Sequence, residues 1–229
     1  MVCPSPKKML YFCILNQSLV QDMENIFFRN DNYTIHRIEN VDLRQLAEFV
    51  VSENCRHHCA DESVVSEDVD CIKAICQEEK SFANSYIYIA YNNLGKIIGS
   101  IRTFKWDRNS LLPMEKIFGI NPIDAVPQGK DYNFWHIGRF AIDSYSGIST
   151  LTLFKQLVYL SIMPIIEDPK GCMIAEMDSK LLRTLNILGI ETVRLGKSVE
   201  YLHSETIPVY SERKGLLYFY NRNSDILKK

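Results

Sequence analysis

Apolar and polar positions along this chain change period several times, and the changes mark its elements. Tyr33–Ile38 alternates as a half-buried strand does. Leu43, Leu46, Ala47 and Val50 then recur at helical spacing behind a capping pair, Asp42 and Gln45, and predict a helix to about Cys59. Val65, Val69, Ile72, Ile75 and Cys76 predict a second, from Val64 to about Glu79. The period returns to two in Ser85–Tyr91 and Lys96–Trp106, joined by the hairpin turn Asn92-Asn93-Leu94-Gly95. Pro113–Gly119 reads as a short helix with proline in its first turn and glycine past its end. Ile120–Tyr132, with Pro122 and Pro127, reads as an irregular connection. Before Tyr33 the pattern is weak: a short strand over Leu10–Leu15 and a helix over Leu19–Phe28 are expected.

The stretch Phe134–Asp143 is rich in aromatic and β-branched residues and predicts a strand apolar on both faces. Strict alternation puts Phe134, His136, Gly138, Phe140 and Ile142 on one face, and Trp135, Ile137, Arg139 and Ala141 on the other. Such a strand belongs inside a covered sheet, yet it carries an imidazole and a guanidinium. Buried charge is costly unless paired, and arginine does not lose its proton. Arg102, on the hairpin's return strand, poses the same problem, and Glu176 and Asp178 are the expected anions for both arginines.

A helix follows from Ser149 to about Ile162, with Pro164 at its exit and Thr152, Lys155, Gln156 and Tyr159 as its polar stripe. Gly171–Met177 is a strand. Ser179 caps a helix with Leu181, Leu182, Leu185 and Leu188 inward and Gly189 at its end. Glu191–Leu202 and Glu205–Tyr220 read as two closing strands. The strand–helix–strand unit implies parallel neighbours, and the hairpins imply antiparallel flanks. The expected fold is α/β: a mixed sheet of about seven strands with helices on both faces. Residues 1–32 read as an N-terminal extension and 33–229 as a single domain.

With 229 residues the chain can bury a sizeable core. A net charge of −2 and a pI near 6.2 point away from nucleic acid. No apolar run reaches the ~18 residues of a membrane span. Lys7-Lys8 before the apolar run Met9–Leu15 imitates a signal peptide, but the run is short and no small-residue cleavage site follows. With seven cysteines, an odd number, reduced thiols and a cytoplasmic location are expected. Cys55, Cys59, Cys71 and Cys76 lie near His57 and His58, but no CxxC pair exists, so packing rather than a metal site is expected.

The order of elements resembles the N-acetyltransferase (GNAT) fold over Tyr33–Tyr220, and three stretches resemble the acyl-homoserine-lactone synthases within it. They are Gly99-Ser100-Ile101-Arg102-Thr103 with Met114–Phe118, Trp135-His136-Ile137-Gly138-Arg139-Phe140, and Leu182–Ile190 with Arg194-Leu195-Gly196. The second resembles a Trp-Glu-x-Ser-Arg-Phe strand in which His136 replaces the Glu and Gly138 the Ser. The paired Asp residues of those synthases have no clear match, the acidic stretch Glu67–Asp70 lying too far before the hairpin. The resemblance therefore supports acyl transfer more than S-adenosylmethionine as the amine.

It implies an N-acyltransferase that holds no permanent cofactor and takes its acyl group from acyl-CoA, or from acyl-phosphopantetheine on an acyl carrier protein, to a small-molecule amine. His136 would be the base, imidazole titrating near neutrality. Arg102, Arg139 and Glu176 complete the expected catalytic set, Arg139 orienting Glu176 or a substrate carboxylate. Backbone amides around Phe140, Ala141 and Ile142 would meet the oxyanion. Gly147, Ile148 and Ser149, at the helix start, would meet a phosphate. Phe104, Trp106, Phe118 and Phe134 could line an acyl slot, although such residues are more often plain core. The competing reading is a degenerate fold of this kind that binds a thioester or a protein partner without turnover.

Overall fold

The computed structural model of the chain describes residues 25–38, 43–58, 69–82, 84–201 and 204–228. The strand expected over Leu10–Leu15, Asp42 of the expected capping pair, and the second helix's expected start at Val64 lie outside them.

Among the described residues nine strands form one sheet: β1 (Ile26–Arg29), β2 (Tyr33–Ile38), β3 (Tyr86–Asn92), β4 (Ile97–Lys105), β5 (Asn133–Ile142), β6 (Gly171–Asp178), β7 (Val193–Arg194), β8 (Val199–Tyr201) and β9 (Ser204–Glu212). Their order is β1-β2-β3-β4-β5-β6-β9-β7, with β8 also on β9. Among the described residues only β5 and β6 pair in parallel. Between them runs α5 (Thr150–Glu167), which packs on the back of the sheet with α6 (Ser179–Ile187) and α7 (Arg213–Arg222). The front carries α1 (Leu43–His58), α2 (Val69–Lys80) and α3 (Pro113–Phe118). A short α4 (Pro122–Ala125) and a 3₁₀ turn at Gly129–Asp131 break up the connection into β5.

Several local expectations give way to tertiary packing. The segment before Tyr33 is not helical to Phe28, because Ile26–Arg29 pairs antiparallel with β2. Pro164 lies inside α5 rather than at its exit, since Ile165 and Ile166 beyond it are buried in the back core. Gln156, expected in a polar stripe, is buried too; it accepts from the Tyr33 hydroxyl and donates to the Ile226 carbonyl. Asp178, not Ser179, caps α6, accepting from the amides of Lys180 and Leu181. The chain closes on a helix where a strand was expected: Leu216 and Phe219 meet the core at helical spacing, a run that apolarity alone assigns to neither class. By length and composition α5 is apolar enough to cross a membrane, and most of it is buried against the sheet.

Strand β5 is also not regular. Ser100 pairs with Ala141 and Arg102 with Gly138, so β5 carries one residue more than β4 between these points. The extra residue is a β-bulge. At it Arg139 takes the left-handed backbone conformation, φ 54°, and its carbonyl accepts from the Ser100 hydroxyl at 2.8 Å. The bulge breaks the alternation expected along the strand. Ala141 joins the front core and Ile142 and Phe140 the back core, while Arg139 turns to the front beside Arg102.

Candidate functional site

The parallel pairing of β5 and β6 stops at Ile137 and Ala175, although both strands continue, to Ile142 and Asp178. Beyond that point the edge of β5 facing β6 has no strand partner among the described residues, and the two strands part. A cavity of about 180 Å³ fills the opening and joins the two faces of the sheet. Its back is apolar, with Val158, Ile162, Met173, Met177, Leu185 and Ile190. Its front is polar, with Arg102, His136, Arg139, Glu78, Glu176 and Tyr201.

Five of those groups, Glu176, His136, Arg102, Arg139 and Glu78, form one chain of hydrogen bonds, joined through Glu79. His136 is 1% exposed, and its ring stacks on Phe104. Its Nε2 lies 2.8 Å from Oε2 of Glu176, and its Nδ1 lies 3.1 Å from Nη2 of Arg102. A guanidinium can only donate, so Nδ1 accepts and Nε2 carries the proton that goes to Glu176. Arg102, fully buried, donates from Nη1 to Oε1 of Glu79 and lies over Phe82 and Phe104. The same Glu79 oxygen accepts from Nε of Arg139 at 2.7 Å, while Nη2 of Arg139 reaches Glu78 at 2.8 Å. Burial raises the Glu79 carboxyl, but the two guanidiniums outweigh it and hold the group below the usual carboxylate range. Burial also acts against the charge of Arg139, and Glu79 and Glu78 more than restore it.

The four side chains expected to carry chemistry, Arg102, His136, Arg139 and Glu176, thus line one cavity. Their partners differ from the expectation. Glu176 holds His136 rather than an arginine, and Asp178 caps α6, so the anions of both arginines come from α2. The pair Glu78-Glu79 went unrecognised in the sequence. Two adjacent carboxylates at the end of a helix, in a chain with two unmatched strand arginines, were the signal available. His136 has no nitrogen left over: its one lone pair is taken by Arg102, which tells against the direct-base role.

Gly138 faces this cluster. A Cβ there would stand 3.0 Å from Cε1 of His136 and 3.1 Å from Nη2 of Arg102. The larger imidazole and the missing side chain therefore occupy one space.

Of the residues expected to hold the donor, Phe140 lines the cavity, whereas the Ala141 and Ile142 side chains are core. Gly147, in the left-handed conformation at φ 72°, Ile148 and Ser149 lead into α5 beyond the cavity's lining. The Ser149 side chain does not cap the helix and instead meets the Thr152 hydroxyl at 3.0 Å. Phe104 and Phe134 are core, in a cluster with Trp106. Cys55, Cys71 and Cys76 pack around Ala47, Val51, Ile72 and Ile75 between α1 and α2. Among the described residues no group of three or more His, Cys, Asp or Glu is placed to hold a metal.

No family model and no curated protein matches the chain. Solved structures do. The AHL synthase LasI matches with a TM-score of 0.55 at 13% identity, over 82% of this chain and 94% of LasI. FeeM, an N-acyl amino acid synthase from uncultured soil microbes, matches with a TM-score of 0.56 at 16% identity, over 80% of this chain and 91% of its own. BjaI, a CoA-dependent acyl-homoserine lactone synthase solved with SAM and isopentyl-CoA, matches with a TM-score of 0.50 at 14% identity, over 80% of each chain. At these identities the likeness shows the fold alone: the mixed α/β sheet here is similar to that of these synthases and of a GNAT-family acetyltransferase.

Proposed function

We propose that the protein is an N-acyltransferase that passes an acyl group from a thioester, acyl-CoA or an acyl carrier protein's phosphopantetheine, to a small amine. One observation carries this: the parting of β5 and β6 opens a cavity that is apolar on one side of the sheet and ionisable on the other. A thioester laid along the unpaired edge of β5 would find backbone donors for its carbonyl oxygen near the bulge. Its acyl chain would pass to the back, and the amine would arrive from the front. A cavity of ~150 Å³ lined by Leu, Ile and Phe takes benzene, so 180 Å³, front and back together, has room for an acyl group of up to about six carbons. The first-turn amides of α5, behind Gly147, are the place for a donor phosphate. LasI, FeeM and BjaI, which share the fold, are named for acyl-transfer products of this kind.

The test is thiol release from acetyl-, hexanoyl- and decanoyl-CoA, and from a hexanoyl carrier protein, with mixed primary amines. Turnover above background, best with hexanoyl, is expected. A second reading, a binding module without turnover, is favoured by the engagement of both His136 nitrogens. Thermal stabilisation by hexanoyl-CoA with no thiol release would establish it instead.

A further inference from the structure

Resting on the acyl-transfer reading, we infer that Glu176, and not His136, takes the proton from the attacking amine, and that His136 is a positioning residue. Three observations converge on this carboxylate. Glu176 follows Ala175, the last residue of β6 that pairs with β5, so it stands where the strands part. It lines the cavity, and its side chain is 9% exposed. One oxygen, Oε2, accepts from His136, while the other, Oε1, is buried without a partner among the described residues. A buried carboxylate oxygen without a donor is costly, and the cost is removed when a ligand brings an N–H. An amine arriving at the front of the cavity brings one.

His136 cannot serve in the same way, because its single acceptor nitrogen already receives the Arg102 guanidinium. Its fixed tautomer has a use: Nε2–H pins one oxygen of Glu176 and leaves the other, buried in the cavity wall, without a donor. The step then balances. The amine nitrogen bonds to the thioester carbonyl carbon, and its proton passes to Oε1. As the intermediate collapses the carbon–sulfur bond breaks, and the sulfur leaves as thiolate. Glu176 returns the proton to it, so amide and thiol are released and the carboxylate is restored.

Glu176→Gln keeps an acceptor for His136 and removes the basicity. With hexanoyl-CoA and mixed primary amines, it is expected to lower kcat at least about a hundredfold, the usual weight of a placed base, with hexanoyl-CoA binding unchanged. Glu176→Ala is expected to regain activity with added formate, which a purely structural role would not show. His136→Gln can still accept from Arg102 and donate to Glu176 but cannot act as a base; kcat within about tenfold of wild type is expected, well above His136→Ala. A Glu176→Gln protein within threefold of wild type would overturn the inference. His136→Gln as inactive as His136→Ala would overturn the positioning role. Wild-type protein that neither binds hexanoyl-CoA nor releases thiol would overturn the acyl-transfer reading itself, and this inference with it.

Discussion

Gly138 lies against the ring of His136: a Cβ on Gly138 would stand 3.0 Å from the imidazole Cε1, closer than ordinary van der Waals contact. The ring cannot retreat freely, being stacked on Phe104 and tied at both nitrogens. Gly138→Ala is therefore an overpacking change, expected to destabilise by about 1–3 kcal/mol in urea unfolding and to lower turnover. An unchanged midpoint would show that the ring moves aside at no cost.

The two guanidiniums of Arg102 and Arg139 lean on one carboxylate oxygen of Glu79. Glu79→Gln leaves two buried cations with a neutral acceptor and should cost about 3–5 kcal/mol. Glu78, more exposed and bonded to Arg139 only at the rim, should cost clearly less when changed to Gln. Equal losses in the two variants would contradict the central place of Glu79.

Stability should fall in acid for reasons that can be signed. Glu79 sits below its ordinary value of 4.5. Asp168 is raised by burial, but hydrogen bonds from Asn133, Lys105 and Trp135 bring it from 3.8 to about 2. Both groups have depressed folded-state values, so the unfolded chain binds more protons in acid. Their contribution is full above about pH 4.5 and is lost as the pH drops toward 2. Thermal melts across this range should show the decline, and Asp168→Asn should flatten its lowest part. A melting temperature insensitive to acid would refute the assignment.

Burial, with Glu212 as the nearby charge, pushes the Cys172 thiol up to about 12. Native protein should therefore leave Cys172 unalkylated by a thiolate-selective reagent at neutral pH, with labelling that appears only on unfolding. Peptide mapping after brief and long exposure reads this directly.

Ile162 is wholly buried at the apolar side of the cavity. Ile162→Phe should shorten the acyl chain that is accepted, and Ile162→Ala should lengthen it. The chain-length profile of thiol release reads both. An identical profile for the three proteins would move the acyl chain elsewhere.

Much of this site was legible in the chain. His136, Arg102, Arg139 and Glu176 stood out as ionisable residues in strands otherwise apolar, and all four meet at one cavity. Their pairings were not legible. Arg139 finds Glu79 sixty residues away, across a helix whose docking no local pattern encodes.

Periodicity by itself determined the core of the fold, because the hairpin, the parallel unit around α5 and the Leu-rich α6 each carry their burial pattern in consecutive residues. Only the tertiary structure decided which face Arg139 takes. The bulge that turns it exists in the register between β4 and β5, and a left-handed arginine leaves no glycine to announce it. The same holds for the closing helix α7, whose apolar run suits helix and strand alike until the back of the sheet selects one. Alternation is a property of one strand, whereas a bulge is a property of two.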